Sequence, residues 1–153
     1  MIVYRISNEK YKDDISGNGA AINGSRWNSK NIKVLYTAEH ISLSILESLV
    51  HLREIDLPDK IFLLTIDIPD IDFLEIKNSK LIANWQTHIS YTQWMGDQFI
   101  TENKSLILKI PSAVVPREHN FLINPLNKDY KKLKIISSEL LDLDKRLLQE
   151  KYE

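Results

Sequence analysis

The sequence predicts an α+β domain, and three observations support that class. Short apolar or alternating segments typical of strands occur in both halves of the chain, and segments with helical periodicity separate them. The chain has 153 residues, which suits a single domain over 1–153. Its hydrophobic fraction of 43% and charged fraction of 27% are ordinary for a globular protein that buries its own core. We therefore expect strands in both halves with helices between them.

The N-terminal half contains two predicted strands, IVYRIS (2–7) and KVLYTA (33–38), joined by a long loop. That loop runs from Lys12 to Asn31 and holds three of the four glycines. A connection of this length inside a compact domain is usually functional. Helical periodicity then predicts an amphipathic helix from about Ser42 to Arg53. Its apolar stripe is formed by Ile41, Ile45, Leu49 and Leu52 and widened by Leu46 and Val50.

The C-terminal half alternates further strands with one short helix. Strands are predicted over 60–69 and 132–138, and SLILKIPSAVVP (105–116) forms one or two strands interrupted at Pro111. The helix is predicted over Thr92 to Glu102. The segment from Leu140 onward is predicted to be a helix or a frayed tail.

The composition excludes several classes of function. A net charge of −1 argues against bulk electrostatic binding to nucleic acid. The absence of cysteine excludes disulfides and thiolate chemistry, and the four histidines show no zinc-binding spacing, so no metal site is expected. No apolar run approaches the roughly 20 residues of a membrane span. Early charges in MIVYRISNEKYKDD argue against a secretory signal, so we expect a cytoplasmic protein without a membrane partner.

Arg26 lies in NGSRWN (23–28), inside the long loop, and has two interpretations. In the first interpretation Arg26 is a solvated loop arginine. In the second its planar guanidinium binds a phosphate through two parallel hydrogen bonds. The neighbouring Trp27 is either a core anchor for the loop or part of a binding site.

Three further residues are candidates for the same site. Glu47 lies at the edge of the apolar stripe of the helix, and it is either a partly exposed helix glutamate or a carboxylate held over a cleft. Tyr36 lies at the end of a strand, and its side chain either packs in the core or forms one wall of a pocket. Ser112 follows Pro111 in an apolar strand and, if buried, needs a hydrogen-bond partner. No G-x-S-x-G elbow surrounds it, so a supporting role suits it better than a nucleophilic one.

Three blocks of the sequence together resemble the RES-domain toxins of bacterial toxin–antitoxin modules. The blocks are SGNGAAINGSRWN, VLYTAEHISLSILESLVHL and LKIPSAVVPREHNFLINP, and the resemblance extends from Ile2 to about Arg146. The arginine, glutamate and serine that name the family correspond to Arg26, Glu47 and Ser112. This chain has Gly24-Ser25 where the family usually has two glycines. Leu126 and Asn127 stand where a histidine often follows the family's Asn-Pro pair.

The resemblance implies a compact domain similar to the ADP-ribosyltransferase fold, with small mixed or antiparallel sheets and helices around an NAD cleft. It implies a toxin that cleaves the nicotinamide–ribose bond of NAD+, as a glycohydrolase or phosphorylase. NAD+ is then a substrate, and no permanently bound cofactor is expected. A helix-turn-helix antitoxin of the Xre type is the implied partner, and the family suggests a homodimer.

Roles in NAD+ cleavage follow from that resemblance. Glu47 would stabilise a ribosyl cation, and Arg26 would hold the diphosphate or ribose side. Tyr36 would stack on nicotinamide or cap its pocket, and Ser112 would form a hydrogen bond with the ribose, the amide or Arg26. Asn120 and Asn124 are weaker candidates for binding NAD, and Trp27 is a further candidate.

Three rival functions remain open at this point. The first is transfer of ADP-ribose to a cellular protein, which would use the same cleft. The second is a non-catalytic module that binds an anion or a protein through Arg26 and Trp27. The third, cleavage of nucleic acid, is disfavoured by the near-neutral charge.

Overall fold

The computed structural model describes residues 1–52 and 60–147, and within them seven strands form one sheet accompanied by three α-helices. The strands are β1 (Ile2–Asn8), β2 (Leu35–Ala38), β3 (Ile61–Asp67), β4 (Leu74–Glu75), β5 (Ile107–Pro111), β6 (His119–Ile123) and β7 (Lys134–Leu140). The helices are α1 (Asn18–Asn23), α2 (Ile41–Leu52) and α3 (Ile89–Glu102). The predicted α+β class is confirmed.

The sheet has the order β4-β5-β6-β2-β1-β3-β7, and only the short β4–β5 pair is parallel. The strands thus form a single mixed sheet rather than several small ones. β1 pairs with β3 along its whole length, from Ile2↔Asp67 to Asn8↔Ile61. It meets β2 through one pair, Tyr4↔Ala38. The sheet therefore opens between β1 and β2, in its middle.

Each face of the sheet has its own apolar cluster, as the alternation of side chains along strands requires. One cluster contains Val3, Leu35, Leu64 and Phe121, and Ile15 and Tyr130 pack against it. The other packs under α3 and contains Trp27, Val34, Trp85, Phe99, Ile100, Leu108, Ile110 and Leu122. No helix in the described ranges has the length and apolar character to cross a membrane.

Several element boundaries differ from the sequence prediction. The predicted loop 12–31 contains the helix α1, and α3 begins at Ile89 rather than Thr92. The segment 105–116 holds one strand, β5, which ends at Pro111. The strands β4 and β6 were not predicted, and β7 runs to Leu140. Of the predicted terminal helix, the described part contains a single 3-10 turn over Lys145–Leu147.

Helix α2 presents a different face to the sheet from the one its apolar stripe predicts. It begins at Ile41, and its predicted end at Arg53 lies outside the described residues. Leu43 and Ser44 are buried, whereas Ile41, Leu46 and Val50 are exposed. The buried face therefore passes through Leu43 and, one turn later, Glu47. This orientation of α2 about its axis directs Glu47 toward the sheet.

Candidate active site

The loop that carries Arg26 is shaped by Gly24 at the end of α1. Gly24 has a φ of +73°, and a Cβ there would lie 3.0 Å from both the Asn28 carbonyl oxygen and the Lys30 nitrogen. A side chain is therefore strained at this position for two reasons. The tight turn brings Ser25 opposite Asn28 in an isolated bridge. The backbone conformation of the loop therefore accounts for the glycine at position 24.

A buried hydrogen-bond network fixes that loop onto β2. The Asn28 amide nitrogen donates to the carbonyls of Ala20, Ser29 and Ile32 at 2.9–3.2 Å. The Tyr36 hydroxyl donates to Asn28 Oδ1 at 2.7 Å and accepts from the Trp27 N–H at 3.0 Å. Burial raises the pKa of Tyr36, which keeps the phenol protonated as a donor. The Tyr36 hydroxyl is thus committed to the loop, and its ring remains as a pocket wall.

We expect Tyr36→Phe to destabilise the fold by about 1–3 kcal/mol, because it leaves the Trp27 N–H and the Asn28 oxygen without their buried partner. Thermal unfolding measures the effect. The exposed Tyr11 gives the matched control, since Tyr11→Phe should leave the melting temperature nearly unchanged. Equal melting temperatures for the two variants would contradict the proposed role of the Tyr36 hydroxyl.

Trp27 and Arg26 both contact Trp85 but differ in burial, since Trp27 is buried and Arg26 only partly so. The Trp27 side chain is 2% exposed and packs against Trp85 with ring centroids 5.6 Å apart. It is therefore an anchor of the core, and its burial leaves little side-chain surface for a ligand. The Arg26 guanidinium lies 5.9 Å from the Trp85 ring centroid, and Nη1 donates to the Gln86 carbonyl at 2.5 Å. These contacts orient the guanidinium, which the sequence alone left undecided.

Glu47 is held by two donors on one carboxylate oxygen. Ser112 Oγ donates to Oε1 at 2.7 Å, and Asn120 Nδ2 donates to the same atom at 2.6 Å. Within residues 1–52 and 60–147, no hydrogen bond reaches Oε2. The side chain is only partly buried, so Oε2 is available to a ligand.

Ser112 positions Glu47 and has no exposed surface of its own. Its hydroxyl oxygen accepts from the backbone N–H groups of Val114 and Val115 at 3.0 and 2.9 Å, which directs its hydrogen at Glu47. Among the described residues Ser112 makes no hydrogen bond to Arg26, and the contacts to the ribose or the amide of NAD that the resemblance implied stay predictions. Asn120 lies within β6 rather than in a loop, and Asn124 is fully buried and bonds the Ile100 carbonyl.

Arg26, Tyr36, Glu47 and Asn120 line one pocket of about 440 Å³, situated where β1 and β2 separate. The lining also includes Arg5 on β1 and His51 on α2. Sequence reasoning did not select Arg5, whose only signal was a charged residue inside an alternating strand. Across the described residues, no three His, Asp or Glu side chains come together as metal ligands would. The pocket therefore offers a carboxylate held by two donors, and its lining includes Arg26.

The fold and the pocket define a class: an α+β protein with a cleft whose lining includes one oriented carboxylate and one arginine. The RES domain family model matches residues 2–144, and the chain belongs to that family. It is 37% identical over 158 residues to a protein of Photorhabdus laumondii named Toxin Res, covering 99% of each chain. It is 33% identical over 140 residues to a Sphingobium protein named Prs ADP-ribosylating toxin, covering 80% and 79%.

A solved structure supports the fold independently. The chain matches one in the crystal structure of the M. tuberculosis MbcT-MbcA toxin-antitoxin complex, with a TM-score of 0.74. The match covers 92% of this chain and 83% of the other, at 19% identity. At this identity the match concerns the fold alone.

Proposed function

We propose that this chain is the toxin of a toxin–antitoxin module and that it cleaves the nicotinamide–ribose bond of NAD+. One observation carries the proposal. Glu47 is fixed through Oε1 by Ser112 and Asn120 and presents its other oxygen to a pocket that also contains Arg26. The names of the relatives support the toxin part of the proposal.

Cleavage of the nicotinamide–ribose bond requires little from the protein beyond this arrangement of Glu47 and the pocket. Nicotinamide in NAD+ is already a cationic leaving group, so the glycosidic bond breaks without a general acid. The positive charge that develops on the ribose needs a fixed anion nearby, and Glu47 supplies one whose geometry is set before the substrate arrives.

The remaining residues have distinct roles in this proposal. Arg26 holds the diphosphate or ribose side of NAD+, as a guanidinium suits phosphate oxygens. The Tyr36 ring forms the wall on which nicotinamide stacks. Asn120 and Ser112 act through Glu47, and Trp27 anchors the loop that carries Arg26.

Transfer of ADP-ribose to a cellular protein is the second candidate, and the name of the Sphingobium relative favours it. Both reactions share the loss of nicotinamide and differ in the acceptor, which is water, phosphate or a protein side chain. The same cleft and the same role for Glu47 serve each.

We further propose that an antitoxin of the Xre helix-turn-helix type inhibits this chain by covering the pocket, and that the chain forms a homodimer. The solved structural neighbour is itself a toxin bound to an antitoxin, which supports a protein inhibitor for this fold. The family resemblance is the source of both the Xre type and the dimer.

Incubation of the purified chain with NAD+ labelled in its adenylate half tests the proposal. We expect nicotinamide release together with one of three labelled products. Free ADP-ribose would indicate hydrolysis, its phosphate ester phosphorolysis, and a labelled protein band in added lysate transfer. Intact NAD+ at high protein concentration, with and without phosphate and lysate, would contradict enzymatic cleavage and favour the binding module.

A further inference from the structure

Tyr4 lies on the face of the sheet that borders the pocket. It pairs with Ala38 in the one register contact between β1 and β2, and Ala38 in turn pairs with Asn120 of β6. Residues paired across strands lie on the same face of a sheet, whereas neighbours along one strand lie on opposite faces. Tyr4 therefore shares a face with Asn120, which holds the Glu47 carboxylate. The next residue along the strand, Arg5, lies on the other face.

The Tyr4 hydroxyl is accessible and has no partner within residues 1–52 and 60–147. These residues form no hydrogen bond with it, and it is not among their buried, unpaired polar atoms. The side chain is partly buried and lines the pocket. The Tyr36 hydroxyl, in contrast, already bonds Trp27 and Asn28. Of these two tyrosines in the pocket lining, Tyr4 is the one whose hydroxyl can bind a ligand.

The free oxygen of Glu47 and the hydroxyl of Tyr4 complement the same chemical group. Helix α2 packs against β1 and β2, so Glu47 and Tyr4 border the pocket from the helix and from the sheet. A carboxylate oxygen only accepts hydrogen bonds, whereas a phenol donates or accepts. A sugar hydroxyl can donate to the first and accept from the second. A phosphate has no such proton at neutral pH, and the carboxylate repels it.

We propose that Tyr4 is a ligand-binding residue whose hydroxyl donates a hydrogen bond to a hydroxyl of the sugar bound at Glu47. Ribose suits this pair, because its neighbouring hydroxyls each donate and accept. The identity of that sugar as the ribose that carries nicotinamide rests on the proposed function. Tyr4 then orients the ribose together with Glu47, while the Tyr36 ring remains the wall of the pocket.

The test compares Tyr4→Phe with the wild type and with Tyr11→Phe, a control in which an exposed tyrosine outside the pocket is changed. Calorimetric titration with ADP-ribose and with ADP, which lacks the terminal ribose, gives the dissociation constants. We expect Tyr4→Phe to weaken ADP-ribose binding about 3- to 10-fold, which is the scale of one neutral hydrogen bond, and to leave ADP binding unchanged. Unchanged affinity for ADP-ribose, or an equal loss for both probes, would overturn the inference. Absence of ADP-ribose binding to the wild-type chain would also overturn it.

Thermal unfolding of the ligand-free variants separates ligand binding from a structural role. Tyr4→Phe keeps the ring and removes a hydroxyl without a partner among the described residues, so it should melt at the wild-type temperature. A clearly lower melting temperature would assign the hydroxyl to the fold and contradict the inference. Nicotinamide release by the wild type together with normal ADP-ribose binding by Tyr4→Phe would remove this inference and leave the proposed function standing. The expected loss of ADP-ribose affinity in a chain that never releases nicotinamide would do the reverse.

Discussion

Glu47→Gln should reduce the rate of nicotinamide release by about 10²–10³-fold, which is the scale for loss of one preorganised electrostatic group. The amide has the shape of the carboxylate, and its oxygen still accepts from Ser112 and Asn120. Only the negative charge facing the pocket is lost. The effect should appear in kcat, because the ribosyl cation exists in the transition state and not in the bound substrate. Steady-state kinetics with NAD+ measures both parameters.

Glu102→Gln provides the control for this substitution. Glu102 is an exposed glutamate at the end of α3, outside the pocket, so its change should leave kcat and KM as they were. The proposed role of Glu47 requires that the two variants unfold at similar temperatures while only one loses activity. A folded Glu47→Gln variant with wild-type turnover would remove Glu47 from the mechanism.

Gly96→Ala should be the most damaging of the glycine-to-alanine substitutions in this chain. A Cβ at Gly96 would lie 1.7 Å from the Trp27 carbonyl oxygen and 2.7 Å from its carbonyl carbon, so the helix and the loop must separate. Overpacking of this kind costs about 1–3 kcal/mol or more. For a domain of this size each kcal/mol lowers the melting temperature by roughly 2–4 °C. Thermal and denaturant unfolding would detect the change.

The same face of α3 holds the Arg26 loop through several hydrogen bonds, so the damage should extend to the site. Thr92 bonds the Arg26 carbonyl, Gln93 bonds the Ser25 carbonyl and Asp97 bonds Ser29. Gly19→Ala is the control, because nothing lies within 4 Å of a Cβ built there. Since alanine favours a helix over glycine, we expect Gly19→Ala to be neutral or stabilising. Equal stability of the two variants would contradict the packing of α3 against Trp27.

The sequence predicted those features of the site that depend on local pattern. Short apolar segments predicted β2, β3 and β5, and helical periodicity predicted α2. Ser112 was expected to need a buried partner, and the structure gives it Glu47. The functional interpretation of Arg26 came from family resemblance, since the loop residues alone left it open.

The features that the sequence did not predict depend on contacts between segments that are distant along the chain. Packing against the sheet determines which face of α2 is buried. Periodicity alone predicted that Leu46 and Val50 lie on that buried face, whereas both are exposed. β6 was missed because His119 and Asn120 are polar, yet these residues pair with Pro111 and Ile110 of β5. Arg5 in an alternating strand gives no local sign of a pocket, because the pocket arises where β1 and β2 stop pairing. Tertiary pairing of this kind overrides local propensity.

Removal of NAD+ through the carboxylate of Glu47 is the function proposed for this chain. The most direct test is the intracellular NAD+ level after induced expression of the wild-type chain and of Glu47→Gln, compared at equal soluble protein. We expect the wild type to deplete the NAD+ pool before growth stops and Glu47→Gln to leave it intact. An unchanged NAD+ pool in cells that accumulate the folded wild-type chain, or equal depletion by both chains, would contradict it.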